Sequence, residues 1–248
     1  MDIALENCQS FESPLGHNYL DKKSHRVRNN IACKFIEKSI NSNSSNKIKI
    51  LDIGCGDGRL LEKLISKRIE VYGIDISPTS VRKAKEKGVK AIVANLEEAL
   101  PYESKMFDII YSGETLEHLF NTNLHMLEIN RILKPGGKLV LTTPNLNGFD
   151  DRIKFLLGFP VRHINPLCEI HRFHIRPFNF RMLKQLMTSS GLKVLDLKSN
   201  RIRFASFKKN RLESYFLAKL FPHLGSSLII HAEKVDDVKE INMHNCVA

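Results

Sequence analysis

The chain has 248 residues, 42% of them hydrophobic and 26% charged, and a formal net charge of +11. That length and balance suit a folded domain with a sizeable core plus a small extension, and they exclude a disordered, collagen-like or disulfide-stapled chain. No stretch reaches the roughly eighteen consecutive apolar residues of a membrane-crossing helix: the best candidate, 214–232, is interrupted by Lys219, Pro222, His223 and Gly225.

A polar N-terminal segment, 1–46, contains a predicted helix from about Ser24 to Ile40 and closes on the linker Asn41–Asn46. Strands then alternate with helices: strands near 48–53, 70–75, 89–94, 107–112 and 138–143, and helices near 58–67, 79–87 and 115–133. Such alternation builds right-handed strand–helix–strand units and a parallel sheet. Ser77-Pro78 stops the second strand and starts a helix, and Lys134-Pro-Gly-Gly137 separates the helix 115–133 from the strand after it. Regularity stops over 146–177, which mixes Phe155, Leu156, Leu157 and Phe159 with Arg152, Lys154 and Arg162. A segment of that length commonly covers a site. A helix over 179–190, Gly191 as its stop, a strand Leu192–Lys198 and a last strand near Ser227–Glu233 follow. Phe178 reads as the hydrophobic staple of helix 179–190.

Charge and cysteines add constraints. Residues 152–184 carry seven Lys or Arg against Glu169 alone, and 201–221 carry six against Glu213 alone. This basic half suits an anionic substrate, nucleic acid or a membrane face, with a solvated basic surface as the plain alternative. Cys8, Cys33, Cys55, Cys168 and Cys246 are scattered without paired spacing, and the N-terminus lacks the basic start and apolar run of a secretion signal. Both point to a reducing, cytoplasmic setting.

The chemistry concentrates at Ile50-Leu-Asp-Ile-Gly-Cys-Gly-Asp-Gly58. A buried strand runs into Gly54, Gly56 and Gly58, whose bare backbone lets a ligand approach where a side chain would collide. Unpaired N–H groups at a helix start would then face polar ligand atoms. The spacing is not the dinucleotide fingerprint: its third glycine falls one residue early, leaving Arg59 in that place. Asp75, at the end of the second strand, can accept both hydroxyls of a ribose.

With this loop and acid, and with Arg131-Ile-Leu-Lys-Pro-Gly-Gly-Lys-Leu-Val140, the chain resembles the class I (Rossmann-like) S-adenosylmethionine (SAM)-dependent methyltransferases, over about Ile48–Glu233. The resemblance implies a doubly wound α/β fold: a mostly parallel seven-stranded sheet with an antiparallel last strand. It implies a methyltransferase domain over 47–235 with substrate-covering insertions at 146–177 and 200–225, and a polar tail at 236–248. It implies SAM as cofactor, held by Asp52, Gly54, Gly56, Asp57, Asp75, Ile76, Asn95, Leu96, Ser112 and Gly113. Of these, Asp52 is expected to steady the glycine turn through backbone N–H groups. Many relatives carry an acid in place of Asn95.

For the reaction, Glu114, Glu117 and His118 recur at one helical face and can ligate a divalent cation. Quinone-biosynthesis O-methyltransferases and small-RNA 2′-O-methyltransferases are similar in this Glu-x-x-Glu-His pattern, and the RNA enzymes add a later histidine, matched by His171 or His174. The alternative is that His118 only shapes the pocket. His174-Ile-Arg176-Pro-Phe178 supplies a second base candidate, His174, and an anion-binding candidate, Arg176. The catalytic set expected is thus His118, His174 and Glu117. The acceptor expected is an oxygen or nitrogen of a small molecule, one with a hydrophobic body and a negative group, such as a lipid, quinol or glycan intermediate. An RNA 2′-O-methyltransferase and a non-catalytic SAM-binding protein remain alternatives. Residues 201–221, where basic and aromatic side chains interleave, are also readable as a peripheral membrane contact.

Overall fold

A computed structural model describes residues 23–161, 174–204 and 212–240. Helix α1 (Lys23–Asn41) precedes β1 (Ile48–Ile53), β2 (Ile69–Asp75), α2 (Pro78–Glu86), β3 (Lys90–Val93), β4 (Phe107–Gly113), α3 (Thr122–Ile132) and β5 (Leu133–Pro144). Then come α4 (Phe149–Leu156), α5 (Phe180–Ser189), β6 (Leu192–Lys198), the short strands β7 (Ile202–Arg203) and β8 (Glu213–Ser214), α6 (Tyr215–Leu220) and β9 (Ser227–Lys234).

Seven strands form one sheet in the order β3-β2-β1-β4-β5-β9-β6, and β7 and β8 form a separate two-stranded ribbon. The pairs from β3 to β5 are parallel, and β9 lies antiparallel between β5 and β6. This is the expected doubly wound α/β sheet with its antiparallel last strand. The central strands are apolar on both faces because both faces are covered. On one side α1 contributes Ala32, Phe35, Ile36 and Ile40, and α2 contributes Val81 and Ala84, to a cluster with Ile48, Ile50 and Val71. On the other side Met126, Ile129 and Ile132 of α3 and Leu183 and Met187 of α5 close over Leu51, Ile53, Ile110 and Leu139.

Four sequence expectations are corrected. Residues 58–67 form no α-helix: a single 3₁₀ turn, Glu62–Leu64, follows the loop. Gly58 has a positive φ (+74°), outside the right-handed helical region, and of Leu60, Leu61, Leu64 and Ile65 only Leu61 is fully buried. The helix 115–133 is broken into a 3₁₀ turn, Leu116–His118, and α3, separated by extended Leu119. Asn121 restarts it, its side chain accepting the Leu124 N–H at 3.0 Å. The segment 146–177 is not wholly irregular, since it contains α4; residues 162–173 lie outside the described residues. Lys134–Gly137 is an outlooped stretch inside β5 rather than its beginning, because Leu133 already pairs with Phe107 and Lys138 with Ile109.

Buried within α3, His125 has its imidazole pushed down to about 4 by desolvation. The folded state then refuses a proton that the unfolded chain accepts near pH 6.5, so stability falls as pH drops from about 6.5 towards 4. Between pH 7 and pH 5 the protein should lose about 2 kcal/mol more than a His125→Leu variant, read by urea unfolding. Equal pH dependence in the two proteins contradicts a neutral buried His125.

Candidate active site

The glycine turn leaves β1 at the carboxyl edge of the sheet. Gly54 (φ +73°) and Gly56 (φ +52°) sit in the left-handed region, but their surroundings differ. A Cβ on Gly54 would collide with Thr115 Oγ1, whose hydroxyl donates to the Ile53 carbonyl at 3.2 Å. A Cβ on Gly56 would meet nothing within 4 Å and would project into open space. The two positions therefore predict opposite phenotypes. Gly54→Ala should destabilise the fold by about 2 kcal/mol or more, from positive φ plus the clash. Gly56→Ala should cost only about 1 kcal/mol of stability yet weaken a ligand seated against the turn by tenfold or more. Thermal unfolding and SAM titration of both variants check this; a Gly56→Ala protein that binds SAM as the wild type does contradicts the assignment.

The turn's N–H groups are held by groups other than Asp52, a correction of the expected support. Gly54 and Cys55 donate to the Ile74 carbonyl at 2.8 and 3.1 Å, and Gly56 donates to Asp75 Oδ2 at 2.8 Å. Asp75 Oδ1 accepts the Ser77 N–H at 2.9 Å. Buried Asp52 and half-buried Asp75 form an acidic locus where β1 and β2 run side by side. Desolvation and the charge of Asp75 push the Asp52 carboxyl well up, and desolvation raises Asp75 against the pull of its backbone donors. Such a locus favours a cationic neighbour.

Around it, Asp57 lies at the rim, ion-paired with Arg59 (2.7 Å) and Lys87 (3.1 Å), which hold its carboxyl below the usual range against a desolvation that pushes it up. Ile76 is half-buried beside Asp75. Asn95 Oδ1 accepts the Glu97 N–H at 3.1 Å, and Leu96 packs on the core. Ser112 is fully buried, its hydroxyl without a hydrogen-bond partner among the described residues. Gly113 follows, packed against the Tyr111 hydroxyl so closely that a Cβ would overlap it.

The expected trio Glu114, Glu117 and His118 is not brought together, because the helix that would align it does not form there. Glu114 has a positive φ (+53°), and its carboxylate pairs with Arg28 at 2.6 Å and accepts from Thr142 Oγ1 at 3.2 Å. Instead, ligand atoms of Glu117, His118 and His174 lie within 4.8 Å of one another. The His118 and His174 rings meet edge to face, with centroids 4.9 Å apart. The chain around His174 is clamped to the 3₁₀ turn: Ile175 and Arg176 both donate N–H to the Glu117 carbonyl, at 3.0 and 3.1 Å. Glu117 is buried; Oε2 accepts from Thr143 Oγ1 at 3.1 Å, whereas Oε1 has no hydrogen-bond partner among the described residues. Desolvation, reinforced by Glu114, pushes its carboxyl well above the ordinary value. Arg176 is exposed, and its Nε donates to the Phe120 carbonyl at 3.1 Å. Phe178 and Leu183 share the core at the start of α5, as a staple requires. His171 lies outside the described residues.

Sequence reasoning missed Arg28. The signal was available: Ser24, Arg28, Ala32, Phe35, Ile36 and Ser39 form the buried stripe of α1, and an arginine in such a stripe demands a partner. A partner is Glu114, so α1 reaches the sheet edge that carries Glu114 and Glu117.

Comparison with known proteins agrees with this geometry. Residues 51–141 match the family profile described as a methyltransferase domain. Over 177 residues the chain is 30% identical to the mitochondrial ubiquinone biosynthesis O-methyltransferase of Rattus norvegicus, covering 63% of this chain and 50% of that one. It is 33% identical over 153 residues to the ubiquinone biosynthesis O-methyltransferase of Bartonella tribocorum, covering 58% and 60%. The chain thus spans about half to three fifths of the length of these relatives. A SAM-dependent methyltransferase structure from Methanosarcina mazei superposes with a TM-score of 0.55 at 20% identity, covering 79% of this chain and 96% of that one. The fold is the class I methyltransferase fold. With the profile match and the sequence relatives added, the chain is similar to the class I SAM-dependent methyltransferases.

Proposed function

We propose that the protein transfers a methyl group from SAM to a hydroxyl oxygen of a small molecule with a hydrophobic body, of the kind the quinone-pathway relatives are named for. The observation that carries the reading is the pairing of an open, Cβ-free approach at Gly56 with an acid pair, buried Asp52 and half-buried Asp75, at the same sheet edge as Glu117, His118 and His174. SAM supplies a methyl already activated on a cationic sulfonium. In this reading Asp75 accepts the ribose hydroxyls, Ile76 and Leu96 flank the adenine, and Asn95 meets its amino group. Ser112 and Gly113 line the methionine side, and the Asp52–Asp75 locus attracts the positive charge. His174 or His118 would hold the acceptor hydroxyl and take its proton, while bound SAM would supply the methyl group.

The donor set Glu117, His118 and His174 also suits a divalent cation, and the unpartnered Glu117 Oε1 is the atom such an ion would satisfy. Bound there, the ion would acidify an acceptor hydroxyl. Arg176 is the candidate for an anionic group on the acceptor, and 146–177 and 200–225 the candidate cover over it. The unpaired Cys33 and Cys55 thiols fit a reducing, cytoplasmic compartment. The basic surface supports RNA as the second acceptor class. A labelled-methyl transfer screen across quinols, lipids, glycans and RNA, with and without EDTA, tests all of this. The expected result is transfer to a quinol-type hydroxyl that falls at least tenfold on chelation and recovers with added magnesium. Transfer that is indifferent to EDTA removes the metal, and transfer to RNA alone removes the small-molecule acceptor.

A further inference from the structure

The ends of α4 and α6, within the segments proposed to cover the acceptor, also turn apolar side chains outward. After β5 the chain turns at Asn145, whose amide donates to the His223 and Gly225 carbonyls at 3.0 and 2.7 Å. It then enters α4, which buries Asp150 and Asp151 at its start and turns large apolar side chains outward at its end. Phe155, Leu156 and Phe159 are 75%, 84% and 61% exposed. Both α4 and α6 pack on β7, and the Phe149 ring meets the Phe204 ring at 5.4 Å. From α6 and the residue after it, Phe216 (67%), Leu220 and Phe221 are exposed as well. Soluble surfaces rarely leave this many large apolar side chains outward without a partner.

The charges around them have one sign. Arg152 and Lys219 are exposed and Lys154 half-buried. The carboxylates of these elements are otherwise engaged: Asp150 and Asp151 are buried against Lys154 and Arg203, and Glu213 pairs with Arg201. Outwardly this region offers aromatic and aliphatic side chains among cations. A second copy of the chain, itself +11, would bring like charge to it. An anionic lipid surface matches both properties, because apolar side chains insert at the acyl boundary while Lys and Arg meet the headgroups. Among the described residues no helix is long and apolar enough to cross a membrane, so the contact would be one of surface docking.

We infer that the protein docks on anionic bilayers through the exposed ends of α4 and α6. The region lies at the catalytic edge of the sheet: Leu146 donates its N–H to the Phe178 carbonyl at 2.8 Å, four residues beyond His174. The test is co-sedimentation of the full chain with vesicles of phosphatidylcholine alone or with about 30% phosphatidylglycerol, at about 0.1 M salt. The expected result is pelleting with the anionic vesicles only, reduced severalfold at about 0.5 M salt. F155S/L156S/F159S should lower the bound fraction about tenfold, with unfolding temperature and S-adenosylhomocysteine binding unchanged. R152E/K219E, which touches no apolar side chain, should also lower it severalfold. Absence of pelleting, equal pelleting with neutral vesicles, or full binding by R152E/K219E overturns the inference. So does a concentration-dependent dimer that the triple substitution abolishes while vesicles leave the wild type in solution.

Discussion

Replacing Asp75 by alanine is expected to weaken SAM binding at least a hundredfold, about 3 kcal/mol. Two losses add. The carboxylate proposed to accept the ribose hydroxyls disappears, and so does the acceptor that holds the Gly56 N–H at 2.8 Å and the Ser77 N–H at 2.9 Å. Those donors anchor the turn and the start of α2, so the cradle loosens as well as losing its grip. Asp75→Asn, which retains one acceptor oxygen, should lose distinctly less. Calorimetry reads both constants, and thermal unfolding separates binding from fold. An Asp75→Ala protein with unchanged SAM affinity places the nucleotide elsewhere.

The second large effect is at Glu117. Glu117→Gln keeps the shape of the side chain and an oxygen for the Thr143 hydroxyl, but removes the ionisable carboxyl at Oε1. Turnover should fall by about 10²–10⁴-fold with SAM affinity within about threefold of wild type. His174→Ala should lower turnover by a smaller factor, about 10²-fold, again with SAM affinity retained, because His118 remains beside the vacated position. A parallel loss of SAM affinity in either variant assigns these residues to cofactor binding instead. The backbone bonds from Ile175 and Arg176 to the Glu117 carbonyl survive both substitutions, so the local chain path should persist.

Strands were legible because they are apolar on both faces and bounded by turn residues. β6, expected at Leu192–Lys198, lies there, and β9 joins between β5 and β6 in the antiparallel sense. What failed was helical periodicity in short connections. Leu60, Leu61, Leu64 and Ile65 have helical spacing, yet Gly58 cannot start a right-handed helix at φ +74° and β2 begins at Ile69. Within 115–133 the same periodicity concealed a break, although Asn121 carried a capping signal. The glycine turn and its acid were readable locally. The reaction centre was not: Glu117 and His174 are separated by two helices' worth of chain, and Arg28 reaches Glu114 from α1 across the sheet edge. Tertiary packing, rather than spacing, decided that Glu114 would pair with an arginine and His174 would take its place beside Glu117 and His118.

The central claim is a SAM site built from Gly54, Gly56 and Asp75 at the carboxyl edge of the sheet. Isothermal titration of the purified chain with S-adenosylhomocysteine tests it most directly. Saturable binding with a dissociation constant of about 1–100 μM, about 5–8 kcal/mol, is the predicted result, abolished by Asp75→Ala and sharply weakened by Gly56→Ala. No binding of S-adenosylhomocysteine or SAM to the folded protein would contradict the account.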